Sequence, residues 1–204
     1  GYTADNSHLG IVIRSKSDVL PLPRNTVKEV YDFIISDLKA AIADLPESNN
    51  GYADKNSGKA LLAKVYFQMN DFGNAADYAG QVISSGKYKL DSVQNRFENG
   101  GLSSENIFYF VSTSNNDNRA SSYIGMFRSD NNPNPNMTVT QGLYSLVPKD
   151  SSDIRLVNFL PLNSGNVAVT LFNHDWGSVP YLHLTDLLLL HAEALAEQGK
   201  DLNI

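Results

Sequence analysis

Cysteine is absent from the sequence, which removes disulfide staples and thiolate metal sites from consideration. Histidine is scarce. The four, His8, His174, His183 and His191, show no ligand spacing, and His191-Ala192-Glu193 lacks the second histidine of a metalloprotease helix. No metal and no cofactor are expected. Apolar runs of about 18 residues, long enough to cross a bilayer as a helix, are missing, and Gly1-Tyr2-Thr3-Ala4-Asp5 lacks the charged-then-apolar pattern of a signal peptide. Basic residues are few, 16 against 22 acidic, for a net charge of −6, and they form no cluster. Phosphate contacts need clustered cations, so DNA and RNA are excluded as partners.

What remains is apolar patterning, in 204 residues of which 42% are hydrophobic. Over residues 26–45, Val27, Val30, Tyr31, Ile34, Ile35, Leu38, Ala41, Ile42 and Leu45 recur at steps of three and four, which predicts one amphipathic helix. Thr26 and Glu29 make a capping-box pattern at its start, and Leu45-Pro46 closes it. A second helix, capped by Ser57, is predicted to run to about Met69 through Leu61, Leu62, Val65 and Tyr66. After a turn at Asn70 to Asn74, a third places Ala75, Ala76, Ala79, Val82 and Ile83 inward and stops at Gly86. Ala63, Ala75 and Ala79 are small enough for close approach, so the pair reads as an antiparallel helical hairpin. Thr185 to Gln198 predicts a further helix whose Leu187 to Leu190 run should be buried on most sides. Gly199 then marks a turn, and Leu202-Asn203-Ile204 is expected to begin another helix.

Residues 91–184 break the helical pattern. One strand-like run, Ile107 to Val111, stands among polar turn material, and the 22 asparagines of the chain concentrate between Asn95 and Asn173. Asparagine suits turns, and its amide also suits hydroxyl-rich ligands because it presents a donor and an acceptor. An insert of this length is where a site is expected. Glycosidase chemistry needs two opposed carboxylates. Glu98, Glu105, Asp117, Asp130, Asp150, Asp153 and Asp175 offer acids, but nothing pairs two of them and their expected role is in turns and caps. No Ser-His-Asp set or phosphate-binding glycine loop is visible.

A recognition surface fits the insert better. Sugar rings have apolar faces that stack on Trp or Tyr, with amide and charged groups fixing orientation. Trp176, the single tryptophan, leads this set, with a core or hinge anchor as its alternative role; Tyr123, Phe127 and Tyr144 accompany it, and Arg128 and Asn173 lie near in sequence.

The ordered segments VKEVYDFIISDLKAAIADLP, SGKALLAKVYFQMNDFGNAADYAGQVISSGKYKL, SSENIFYF, DSSDIR and VPYLHLTDLLLLHAEALAEQG resemble the SusD/RagB family, surface glycan-binding lipoproteins of Bacteroidetes, from about Pro21 to Gly199. Leu62, Ala63, Tyr66 and Ala75 also have the mutual spacing of a tetratricopeptide-type repeat, which needs neighbours to cover its faces. The resemblance implies a mainly α fold: tetratricopeptide-like hairpins forming a scaffold at 21–90, a loop-rich insert with a short strand at 91–184 on the ligand side, and the start of a further hairpin at 185–204. The family's lipidated cysteine, the early helices before Pro21 and Pro23 and the portion after Ile204 are not present, so the chain is expected to be a central slice, residues 1–204, of one domain. His183 stands where the family has a basic residue, and Asp186 where it has an acidic one.

The function implied is non-catalytic capture of oligosaccharide or polysaccharide at the outer-membrane surface, for delivery to a SusC-like TonB-dependent transporter. Membrane attachment would come only through a lipid anchor outside this sequence. The alternatives are a protein- or peptide-binding repeat module, as in RagB-type uptake, and a glycoside hydrolase.

Overall fold

The computed structural model describes residues 3, 5–92, 95, 102–113, 115, 125–130, 135–147, 153, 158–173 and 177–200. It is mainly helical with a few short strands, as expected. The expected helix at Leu202 to Ile204 lies outside the described residues. The chain divides into two units, one of Gly1–Lys87 with Thr185–Ile204 and one of Tyr88–Leu184.

In the first unit, residues 8–11 run antiparallel to 25–27, joined by bonds such as Gly10 N–H to the Asn25 carbonyl (2.7 Å) and Val27 N–H to the His8 carbonyl (2.9 Å). Helix α1 then spans Val27–Asp44. Thr26 caps it: its hydroxyl accepts from Glu29 N–H (3.2 Å), and the Glu29 carboxylate accepts from Thr26 N–H (2.7 Å). That backbone bond holds the Glu29 carboxyl below its ordinary value. The chain turns extended at Leu45, just before Pro46.

Helix α2 covers Lys55–Gln68 and α3 covers Phe72–Ser84. The cap of α2 is Asp54, not Ser57. The Asp54 carboxylate accepts from Ser57 N–H (2.9 Å) while the Ser57 hydroxyl accepts from Asp54 N–H (3.3 Å), so the serine is the reciprocal member of the box three residues inside. The turn is also tighter than expected. Asn70 takes the left-handed conformation (φ 57°), and Asp71 caps α3 through Asn74 N–H (3.2 Å), so Phe72 is already helical. Gly86, at φ +64°, ends α3 where a side chain would be strained.

Small residues let the helices meet. Leu62, Ala63, Ala75, Ala79 and Val82 are fully buried, and Ile35, Leu38 and Ile42 of α1 pack against the cluster around Leu62. At Gly58 a Cβ would stand 2.7 Å from Ile42 Cγ1, so glycine is what lets α1 lie this close to α2. Helix α4, Leu184–Glu197, joins the same core through Leu190, Ala194 and Leu195. The Lys64 ammonium meets Asp186 at 2.6 Å, and the Gln198 amide donates to the Phe72 and Ala194 carbonyls (2.9 and 2.8 Å). The leucine run is less enclosed than expected: Leu187 is buried, Leu188 and Leu190 are half-buried, and Leu189 is 67% exposed. Four successive helical residues point around most of a turn, so one faces outward.

His191 of α4 lies against α3, with its Nε2 3.5 Å from where a Cβ on Gly80 would be. Its Nδ1 is buried with no partner among the described residues, and burial pushes the imidazole below its ordinary value. The unfolded chain therefore takes up this proton at a higher pH than the folded chain, and stability falls as pH drops below about 6.5. Chemical denaturation between pH 7.5 and 5.5 should show that slope, and His191→Leu should flatten it; equal slopes in both proteins would contradict it.

In the second unit four strands lie among the described residues, where one was expected. β1 (Asn106–Phe110) pairs antiparallel with β4 (Val179–His183), and β2 (Phe159–Pro161) with β3 (Val167–Val169) across a turn containing Gly165 at φ +83°. β2 and β3 are three residues each, too short to show alternation, and β4 carries Pro180. The β1–β4 ribbon is fastened at one end by Glu105. This carboxylate, 1% exposed, accepts from Asp91 N–H (3.0 Å) and lies 4.0 Å from His183 Nδ1, while the Glu105 carbonyl accepts from Leu184 N–H (2.9 Å). The Ser103 hydroxyl donates to Asp91 (3.0 Å) and holds its carboxyl below the usual range. Glu105 is thus a turn residue, as expected, within the Ser103–Asn106 turn, and its buried carboxylate is also a fastener.

Candidate ligand-binding site

Three contacts of the second unit gather segments distant in sequence. Met137 N–H donates to the Met126 carbonyl (2.9 Å), and Val139 and Val167 exchange both backbone bonds (2.7 and 3.0 Å). Asn173 then returns to Ser129. Its side-chain oxygen accepts from Ser129 N–H (2.9 Å) and from the Ser129 hydroxyl (3.2 Å), which in turn accepts from the Asn173 amide nitrogen (3.2 Å). Ser129 is buried, so this latch satisfies polar groups that would otherwise be costly.

The latch brings Asn173 beside the segment carrying Phe127 and Arg128. Asn173 is placed by the 3-10 turn Thr170–Phe172 that follows β3. Phe127 is half-buried. The Arg128 guanidinium makes a fork onto Asp130, Nε to Oδ1 at 2.6 Å and the second nitrogen to Oδ2 at 2.9 Å, in the planar pairing that arginine favours. Its charge is therefore balanced by an acid two residues away. Tyr144 sits on the short helix Gln141–Ser145 capped by Thr140, with its ring 5.7 Å from that of Phe159. Trp176 and Tyr123 lie outside the described residues, as do His174, Glu98, Asp117, Asp150 and Asp175.

One group of rings escaped the sequence reading. Phe108 and Phe110 of β1 and Tyr181 of β4 stand together, with centroids 5.4 to 6.2 Å apart and planes crossing at 68° to 85°. The signal was present in the i, i+2 spacing of Phe108 and Phe110. Their neighbour Tyr181 could be found only by pairing β1 with β4. Among the described residues no group of three or more His, Asp or Glu side chains could hold a metal ion.

The architecture is one of packed helices interrupted in sequence by an irregular, strand-containing unit. No protein-family model and no curated protein matches the sequence. Solved structures do, and they give the chain the fold of the SusD superfamily. A SusD superfamily protein from Bacteroides thetaiotaomicron is 24% identical with a TM-score of 0.78, over 98% of this chain and 50% of its own. A SusD superfamily protein from Bacteroides vulgatus is 26% identical with a TM-score of 0.71, over 88% of this chain and 44% of its own. Surface glycan-binding protein A from Bacteroides thetaiotaomicron, in complex with laminarihexaose, is 16% identical with a TM-score of 0.65, over 87% of this chain and 52% of its own. The chain thus spans about half the length of the structures it matches.

Proposed function

We propose that this chain belongs to a non-catalytic carbohydrate-binding protein of the bacterial outer surface. The observation that carries the reading is the shared fold with a protein whose structure holds a bound glucan oligosaccharide. The second unit supplies the ligand side, with Trp176, Tyr123, Phe127 and Tyr144 as stacking groups and Arg128 and Asn173 positioned to orient hydroxyls. Because Arg128 is forked onto Asp130 and Asn173 is engaged with Ser129, both are held by protein partners and the guanidinium charge is balanced, which favours a neutral ligand over an anionic one. The protein would hand its sugar to a SusC-like TonB-dependent transporter and be held at the membrane by a lipid anchor outside this sequence.

Calorimetric titration with laminarihexaose and a panel of other neutral oligosaccharides tests the reading. Saturable binding without release of reducing ends is expected, and Trp176→Ala should weaken it roughly tenfold, the scale of one aromatic contact. Binding to peptides alone would favour the RagB-type alternative, and reducing ends accumulating with time would favour a hydrolase.

A further inference from the structure

The rings on the β1–β4 ribbon form a partly exposed cluster. Ile107 and Leu182 are buried on the inner face of the ribbon, while Phe110 and Tyr181 are 49% and 55% exposed on the other and Phe108 lies half-buried between them. Each ring touches the other two edge-to-face, the arrangement their quadrupoles favour. The three therefore restrict one another's rotamers, so a ligand meeting them loses little side-chain freedom on binding.

The surroundings define what would fit. Residues 106–113 and 178–182 contain no Lys, Arg, Asp or Glu, in a chain of net charge −6. Nothing among the described residues bonds the Tyr181 hydroxyl, which is left available at the edge of the patch. Two half-exposed rings of roughly 200 Å² each, with the part of Phe108 still open, offer about 250 Å². A stable protein interface needs about 800 Å² per partner, whereas an area this small matches one or two sugar rings. Steeply crossed rings also form an open corner, in which one ring stacks on the C–H face of a pyranose and the next braces its edge.

We infer that Phe108, Phe110 and Tyr181 form a carbohydrate-stacking site for a neutral oligosaccharide, made of residues other than those proposed above. The inference rests on the proposed carbohydrate-binding function. In it Phe110 and Tyr181 supply the stacking faces, Phe108 holds them, and the Tyr181 hydroxyl bonds a sugar hydroxyl.

The test uses the full chain, laminarihexaose and an equal panel of α- and β-linked neutral oligosaccharides. Phe110→Ala combined with Tyr181→Ala should lower affinity at least tenfold or remove one of two binding events, leaving the Trp176-dependent event in place. Tyr181→Phe, which keeps the ring and the fold, should cost a few-fold and guards against a double variant that fails to fold. Binding by the unaltered chain that neither variant changes overturns the inference and leaves the proposed function standing. No binding of any neutral oligosaccharide by the unaltered chain overturns both. Self-association of the unaltered chain that the double variant abolishes would make the face a contact between copies and also overturn the inference.

Discussion

Replacing Leu62 by alanine is expected to destabilise the protein by about 3 kcal/mol, on the scale of other buried Leu→Ala changes. Leu62 is fully buried in the cluster formed with Tyr66, Ala75, Ala76 and Ala194, which Ile35, Leu38, Ile42 and Leu190 pack against. Truncation removes methyl groups from a cluster to which four helices contribute, and neighbours as small as alanine have little side chain with which to collapse into the space. For a chain of this size the midpoint of thermal unfolding should fall by roughly 10 °C. Leu189→Ala is the control: the same chemical change at a side chain facing outward should shift stability by no more than about 0.5 kcal/mol. Equal losses at both positions would show that Leu62 does not occupy the core.

The second large effect is expected at Glu105. Glu105→Ala removes the acceptor for Asp91 N–H, takes away the carboxylate facing His183 and empties a buried volume. Loss of one partner from a buried polar group costs about 3 kcal/mol when nothing replaces it. Glu105→Gln keeps the volume and an oxygen for Asp91, so its loss should be clearly smaller. Urea unfolding of the three proteins decides the matter, since an alanine variant as stable as the parent would remove Glu105 from its role as fastener. A change in the second unit should also reach ligand affinity, because Glu105 fixes the ribbon on which Phe110 and Tyr181 stand.

Local chemistry was the readable part of this protein. Thr26 and Glu29 are three residues apart, and their capping box formed as the spacing predicted. The hairpin of α2 and α3 followed from alanine spacing in the same way, and Asp54 displaced Ser57 as cap only because two good cap residues stood within one turn of each other. The leucine run of α4 was harder, since uniform apolarity hides which face turns outward. Non-local pairing was not readable. The Asn173–Ser129 latch, the Val139–Val167 bridge and the approach of Tyr181 to Phe108 each join residues far apart in sequence, and no period or spacing announces them. Of the candidate site, the residue types were therefore legible, while the engagement of Asn173 and Arg128 with protein partners was not.

The discontinuity of the first unit has a kinetic consequence. Helix α4 packs with α1, α2 and α3 only after the whole of residues 88–184 has been closed into a loop. Closing a flexible loop of that length costs about 2 kcal/mol more entropy than closing one a tenth as long. The bonds from Lys89 N–H to the Ser104 carbonyl and from Leu184 N–H to the Glu105 carbonyl draw the two ends of that segment together. If the ribbon forms first, α4 is delivered close to its partners, so Glu105 belongs among the positions whose substitution should slow folding as well as speed unfolding.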